Sequence, residues 1–172
     1  MKKALLHALL LLAFVPLIFS ACQQAEAADN FSQNDLAIYL DGTRFYLNMD
    51  IRNVITVLGD DYAFYKSISC EHDGYDKSFL YSGIEFYTYP MAHGDIVFEI
   101  FTTRPEASTS RGIRIGATAA DVLAAYGDEG AVTAHEIVYS LSASSEFPVG
   151  ASLCFDLRDG VVVAFFVTAR AW

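Results

Sequence analysis

The sequence predicts an α+β fold of two tandem helix-plus-antiparallel-meander repeats, with the helices on one face of the sheet. Three observations carry this. The stretch GIRIGATAADVLAAYGD at 112–128 follows the pattern of FYLNMDIRNVITVLGD at 45–60. A second pair, HGDIVFEIFTT at 93–103 and DGVVVAFFVTA at 159–169, has the same order of turn and strand, with Gly94 aligned on Gly160. Between these lie short alternating runs separated by Gly, Pro and Ser, which read as strands and turns.

The chain starts with Lys2 and Lys3, an apolar run LLHALLLLAFVPLIF, and then FSAC. A positive start, an apolar centre and small residues at the end are the pattern of a secretory signal. The run is interrupted by His7 and Pro16 and is short for a span of about 20 residues. Ser20, Ala21 and Cys22 resemble the lipobox of bacterial lipoprotein signals, with Phe19 where that family usually has leucine. The resemblance implies cleavage before Cys22, acylation of its thiol and a place in the bacterial cell envelope, on the extracytoplasmic side. The alternative is an ordinary cleaved signal. In either case residues 1–21 are a signal peptide outside the fold, and the polar stretch 22–36 is expected to be a tether.

Removing residues 1–21 takes two of the eleven basic residues and none of the twenty-one acidic ones, so the mature chain carries a net charge of −12. Nucleic acid is excluded as a partner, because phosphate contacts need Lys and Arg. Direct adhesion to anionic lipid is disfavoured for the same reason, which leaves a lipid anchor at Cys22 as the route to a membrane.

Two short helices are expected. Ile51, Val54, Ile55 and Leu58 keep helical spacing, as do Val122, Leu123 and Tyr126. Asp50 and Thr118 stand where an N-cap belongs, and Gly59 and Gly127 where a left-handed C-terminal residue is needed. Each helix is expected to run about three turns. The meander of the first repeat (37–104) is expected to hold strands at 63–69, 78–82, 84–89 and 95–103. That of the second repeat (105–172) is expected to hold strands at 132–141, 152–157 and 161–169.

Gly112, Ile113, Ile115, Gly116, Thr118, Asp121, Val122, Leu123, Tyr126 and Gly127 form a pattern that resembles the repeat of the β-lactamase inhibitory protein (BLIP) fold. It is also similar to the unit of BamE-type outer-membrane assembly lipoproteins. The first repeat keeps Leu47, Val54, Ile55 and Gly59, with Asn48 where the pattern has glycine. The resemblance implies a binding or scaffolding protein without enzymatic activity. Its motif is a folding signature, so it carries no contact residues across.

Chemical motifs are sparse. Cys70-Glu71-His72-Asp73 is the one cluster of ligand-type residues, and on a strand Cys70 and His72 alone share a side. Zinc sites need three or four ligands with recurring spacing, so no metal and no cofactor is expected. His93 in a turn and His135 at a strand start read as exposed polar residues. The serines at 140–145 lack a G-x-S-x-G setting. With Cys22 acylated, Cys70 and Cys154 remain as a candidate disulfide pair, with a buried free thiol at Cys154 as the alternative.

The aromatic content points to a surface. In 95–103, Ile96, Phe98 and Ile100 are assigned to the helix-packed face and Val97, Glu99 and Phe101 to the other. In the aligned strand, Val162, Ala164 and Phe166 take the first face, and Val161, Val163, Phe165 and Val167 the second. Large exposed apolar area marks partner sites, so Tyr87, Tyr89, Phe101 and Phe165 are the candidate partner-binding residues, for a protein or peptide. The competing arrangement is that residues 31–40, or the end at Trp172, cover this face. The expected function is therefore a lipid-anchored extracytoplasmic binding module. A structural or assembly component of the envelope is the alternative, and an envelope hydrolase the third.

Overall fold

The computed structural model describes residues 30–169; the signal segment, Cys22 and Trp172 lie outside the described residues. Along the chain the elements are β1 Ala37–Leu40, β2 Thr43–Tyr46, α1 Ile51–Leu58, β3 Ala63–Ile68, β4 Tyr75–Tyr81, β5 Ile84–Met91 and β6 Gly94–Thr102. They continue with β7 Ser108–Thr109, α2 Ala119–Tyr126, β8 Ala131–Val132, β9 Glu136–Leu141, β10 Ala151–Arg158 and β11 Val161–Thr168. The fold is α+β with antiparallel pairing throughout.

Both helices begin and end for local reasons. The Asp50 carboxylate accepts from the Arg52 amide, and the Thr118 hydroxyl accepts from the Asp121 amide while the Asp121 carboxylate accepts from the Thr118 amide. These bonds satisfy first-turn amides that have no partner inside the helix. Gly59 and Gly127 close the helices at φ 83° and 82°, a region that only glycine enters without steric cost. Each helix has eight residues, a little over two turns rather than three. Just before α1, Asn48 has φ 68°, and just before α2, Gly116 has φ 91°. Asparagine is the side chain that best tolerates this region, so Asn48 performs the glycine's task.

Eight strands make one sheet in the order β3-β4-β5-β6-β11-β10-β9-β8, and β2-β1-β7 make a second. The two meanders meet where β6 pairs with β11, with Phe101 opposite Phe166. One face of the large sheet, here the inner face, joins a single buried cluster. Phe86, Ile100, Phe155 and Phe165 of the sheet meet Ile38 of β1, Val54 of α1 and Val122 of α2 in it.

Two bulges decide which side chains reach that cluster. Tyr87 opposes Glu99 while Thr88 opposes Val97, so Phe98 is an extra residue in β6; Asp156 opposes Ala164 while Leu157 opposes Val162, so Val163 is an extra residue in β11. An inserted residue reverses the alternation on either side of it. Val97, Ile100 and Thr102 consequently face inward, as do Val162, Phe165 and Val167, all fully buried. The faces assigned from strict alternation hold for Glu99, Ile100, Phe101 and Val162. They are reversed for Val97, Phe98, Ala164, Phe165, Phe166 and Val167.

The alignment of Gly94 on Gly160 is also corrected. Gly160 is the second residue of the Asp159-Gly160 turn, with φ 53° and 74°, the type I′ geometry that suits a two-residue hairpin. Gly94 is the first residue of β6, opposite Met91. The positions with matching backbone bonds are Val97, which receives the Asn48 amide, and Val162, which receives the Gly116 amide, both at 2.8–2.9 Å.

The described part of the expected tether, residues 30–36, is built into the fold. Residues 33–35 form one 3-10 turn, Leu36 and Asp35 are buried, and Phe31 packs on the cluster. Asp35 is held by Arg111, whose guanidinium lies 2.8 Å from its carboxylate, and by the Ser110 hydroxyl at 2.7 Å. Residues 31–40 thus pack on the inner side.

Candidate binding face

The opposite, outer face of the large sheet is built from two rows that cross its strands. Cα partners across antiparallel strands share a face. One row runs Ser78, Tyr87, Glu99, Thr168, Ser152 and Ser140 across β4, β5, β6, β11, β10 and β9. The next runs Leu80, Glu85, Phe101, Phe166, Cys154 and Val138 across the same strands. Ala164, Asp156 and Glu136 begin a third. The two full rows contain carboxylates at Glu85 and Glu99 and no basic residue.

Hydrogen bonds within the rows fix these side chains. The Tyr87 phenol donates to the Glu85 carboxylate, and the Thr168 hydroxyl donates to Glu99 at 3.0 Å. The Ser140 and Ser152 hydroxyls share a bond of 2.8 Å. At the centre the Phe101 and Phe166 ring centroids are 6.2 Å apart. Burial is the main influence on the titrating groups of this face, and the carboxylates add to it at Tyr87 and Cys154. Burial, the bond to Glu85 and the charges of Glu85 and Glu99 all push the Tyr87 phenol well above its ordinary range. Burial, helped by Glu136, Asp156 and Glu99, pushes the Cys154 thiol up to about 12. Burial raises the Asp156 carboxyl as well.

One end of the face is partly roofed by the β3–β4 loop. His72 stacks on Tyr89 at 4.7 Å between centroids, and Tyr89 stacks on Phe98 at 5.6 Å with ring planes 10° apart. A cavity of about 50 Å³ lies there, lined by Ser69, His72, Asp76, Tyr89, Phe98 and Val149 among others. Beside it an open cleft of about 220 Å³ is lined by Tyr65, Ser67, Asp76, Ser78, Tyr87 and Phe98, with Lys66 and Lys77 also contributing.

Of the residues singled out from the sequence, Tyr87 and Phe101 are half-buried on the outer face. Tyr89 is there too, held between His72 and Phe98. Phe165 is fully buried on the inner face; Phe166 points to the outer face in its place but is itself 8% exposed, and its neighbours Thr168 and Cys154 there are buried too. Cys70 and Cys154 are free thiols, Cys70 exposed and Cys154 buried. Cys70 lies in the loop after β3 and Cys154 in β10, and no disulfide joins them. Sequence reading placed Glu99 on this face but missed Phe166, the other carboxylates Glu85, Glu136 and Asp156, and the stacking role of His72. The first two follow from register, and His72 from a loop folding back, which no local pattern encodes.

Among the described residues no three His, Cys, Asp or Glu side chains are grouped to hold a metal ion. No helix among them is long and apolar enough to cross a membrane. Ser140 and Ser152 bond each other, and neither row contains a histidine to activate them. The surface offers stacking rings, hydroxyls and carboxylates, which are groups that recognise. No protein-family model, curated protein or solved structure matches the chain.

Proposed function

We propose that this chain is a lipid-anchored, extracytoplasmic binding module that presents the outer sheet face to a protein or peptide and catalyses no reaction. The observation that carries the reading is the pair of complete side-chain rows, in which aromatic rings and carboxylates stand side by side. Residues 31–40, one of the two segments able to cover this face, pack on the other side of the sheet. Tyr and Phe supply large contact area at low entropic cost, and carboxylates beside them select basic partners and raise encounter rates.

The architecture behind the face is, in this reading, a duplicated unit with both helices on the inner side of the sheet. Support comes from the order in which each helix is followed by four strands of the large sheet, from the matched N-caps Asp50 and Thr118, and from the bulges at Phe98 and Val163. The pairing of Phe101 with Phe166 then lies at the junction between units.

The test is a photo-crosslinking residue placed at Phe101 on the outer face, or at exposed Val57 of α1 as the comparison, in cells of the native host. A partner crosslinked from position 101, absent from position 57 and lost on Glu99→Lys is the expected result. Equal crosslinking from both positions, or none from 101, removes the outer face as the binding surface.

A further inference from the structure

The margin of the large sheet carries a second interaction surface. β3 forms that margin, and all six of its residues are exposed. Phe64 is 46% exposed, Tyr65 62% and Ile68 76%. The opposite margin, β8, has only two residues. Proteins ordinarily blunt long apolar edges, because unpaired amides and carbonyls invite another strand.

The pairing register shows which groups are open. The Ser69 amide donates to the Gly74 carbonyl at 3.1 Å, so Ser69 faces β4 through its backbone. Backbone groups alternate along a strand. The amides and carbonyls of Phe64, Lys66 and Ile68 therefore point away from the sheet, and among the described residues no backbone group pairs with them. Their three side chains share one face, with Phe64 edge-on to Phe79 at 5.3 Å between centroids.

Charge on this edge is specific. Lys66 and Lys77 are Cα partners, an arrangement of like charges that is unfavourable unless compensated. Lys77 is compensated by Asp95 at 2.6 Å. The Lys66 ammonium lies 4.8 Å over the Tyr75 ring and makes no ion pair among the described residues. A strand laid beside β3 sets one residue directly opposite Lys66 and places residues two positions away opposite Phe64 and Ile68.

We propose that β3 is a docking edge for an extended segment of another protein. That segment joins the sheet as a ninth strand, with an acidic residue opposite Lys66 and apolar residues two positions to either side. Main-chain bonds supply affinity and the alternating side chains supply selectivity, the general logic of strand addition. A second copy of this chain is a poorer occupant. Pairing β3 with itself about its centre sets Lys66 against Lys66, and two strongly acidic chains repel.

The probe is the acetylated, amidated peptide GTVTETVTG, titrated into the purified full chain by fluorescence anisotropy. The control is the same peptide N-methylated at its two valines and its glutamate, which keeps the side chains and the charge but removes the amides that would donate to β3 in an antiparallel ladder. Saturable binding of the first peptide at least tenfold tighter than the control is expected. So are slowed amide exchange at Phe64, Lys66 and Ile68 in the complex, and weakening of at least tenfold by Lys66→Glu. The same variant should bind GTVTKTVTG at least tenfold better than the wild type does. Circular dichroism confirms that the variant is folded, and Val57→Ala on the exposed side of α1 should leave peptide binding unchanged. Binding without protection of those amides, binding insensitive to Lys66→Glu, no binding of the acidic peptide, or a concentration-dependent dimer that buries β3 overturns the proposal.

Discussion

Asp35 and Arg111 form a largely buried ion pair that fastens the segment before β1 to the segment before α2. The carboxylate and guanidinium are 2.8 Å apart, with the Asp35 side chain 6% exposed and that of Arg111 17%. Arg111 also donates to the Ala125 carbonyl at 3.0 Å and lies 4.7 Å over the Tyr126 ring. Removing one partner leaves an uncompensated charge in the interior, which costs about 3–5 kcal/mol. Arg111→Ala should therefore lower the urea midpoint steeply, and Asp35→Ala should do so nearly as much. A change under about 1 kcal/mol in both would show that the clasp is not a stability element.

The same pair sets an acid sensitivity. Burial alone would raise the Asp35 carboxyl, but hydrogen bonds from Arg111, Ser110 and Ser32 outweigh it and the net shift is downward. A carboxyl with a lower pKa folded than unfolded adds stability that is fully present above the unfolded value of about 3.9. That contribution is lost as pH falls through the folded value. Urea midpoints measured between pH 6 and 2 should drop more steeply for the wild type than for Asp35→Asn in the acid limb. Parallel curves would remove Asp35 from the account.

Phe101 and Phe165 should respond oppositely to truncation, although strict alternation puts both on one face. Phe165→Ala empties a fully buried site and should cost about 3–5 kcal/mol. Phe101→Ala trims a half-buried outer ring and should cost about 1 kcal/mol, while weakening capture of a partner on that face. Calorimetric melting of the two variants separates them, and equal destabilisation would contradict the register.

The two described cysteines differ in reactivity. The thiolate is the reactive species. Cys154 is buried with its thiol near 12, whereas Cys70 is exposed. Maleimide should modify Cys70 in the native chain and reach Cys154 only after denaturation, as read by peptide mass. Protection of Cys70 that is relieved by reductant would restore the disulfide.

For the proposed anchor, Cys22→Ala should abolish acylation and shift the protein from the membrane to the soluble fraction, or block its processing. An intact mass without lipid in the wild type, together with unchanged fractionation of the variant, would rule the anchor out.

Local chemistry makes part of this molecule legible in its sequence alone. Asp50 and Thr118 cap because a short oxygen-bearing side chain before an amphipathic run can reach the first free amides. Gly59 and Gly127 terminate because positive φ excludes most side chains. These causes act within a few residues, so composition and spacing reveal them, and with them the α+β class. The outer face is only half legible. Tyr87 and Phe101 follow from alternation, but side-chain direction in a strand has a period of two, so a slip of one residue turns a core ring outward. The bulges at Phe98 and Val163 are such slips, and they exist because β6 and β11 must satisfy both a neighbouring strand and the segment entering a helix. Likewise Asp35, in a stretch that reads as tether, is drawn into the core by Arg111, 76 residues further on. Contacts across that distance are decided by tertiary packing, because the energy that holds them belongs to neither segment alone.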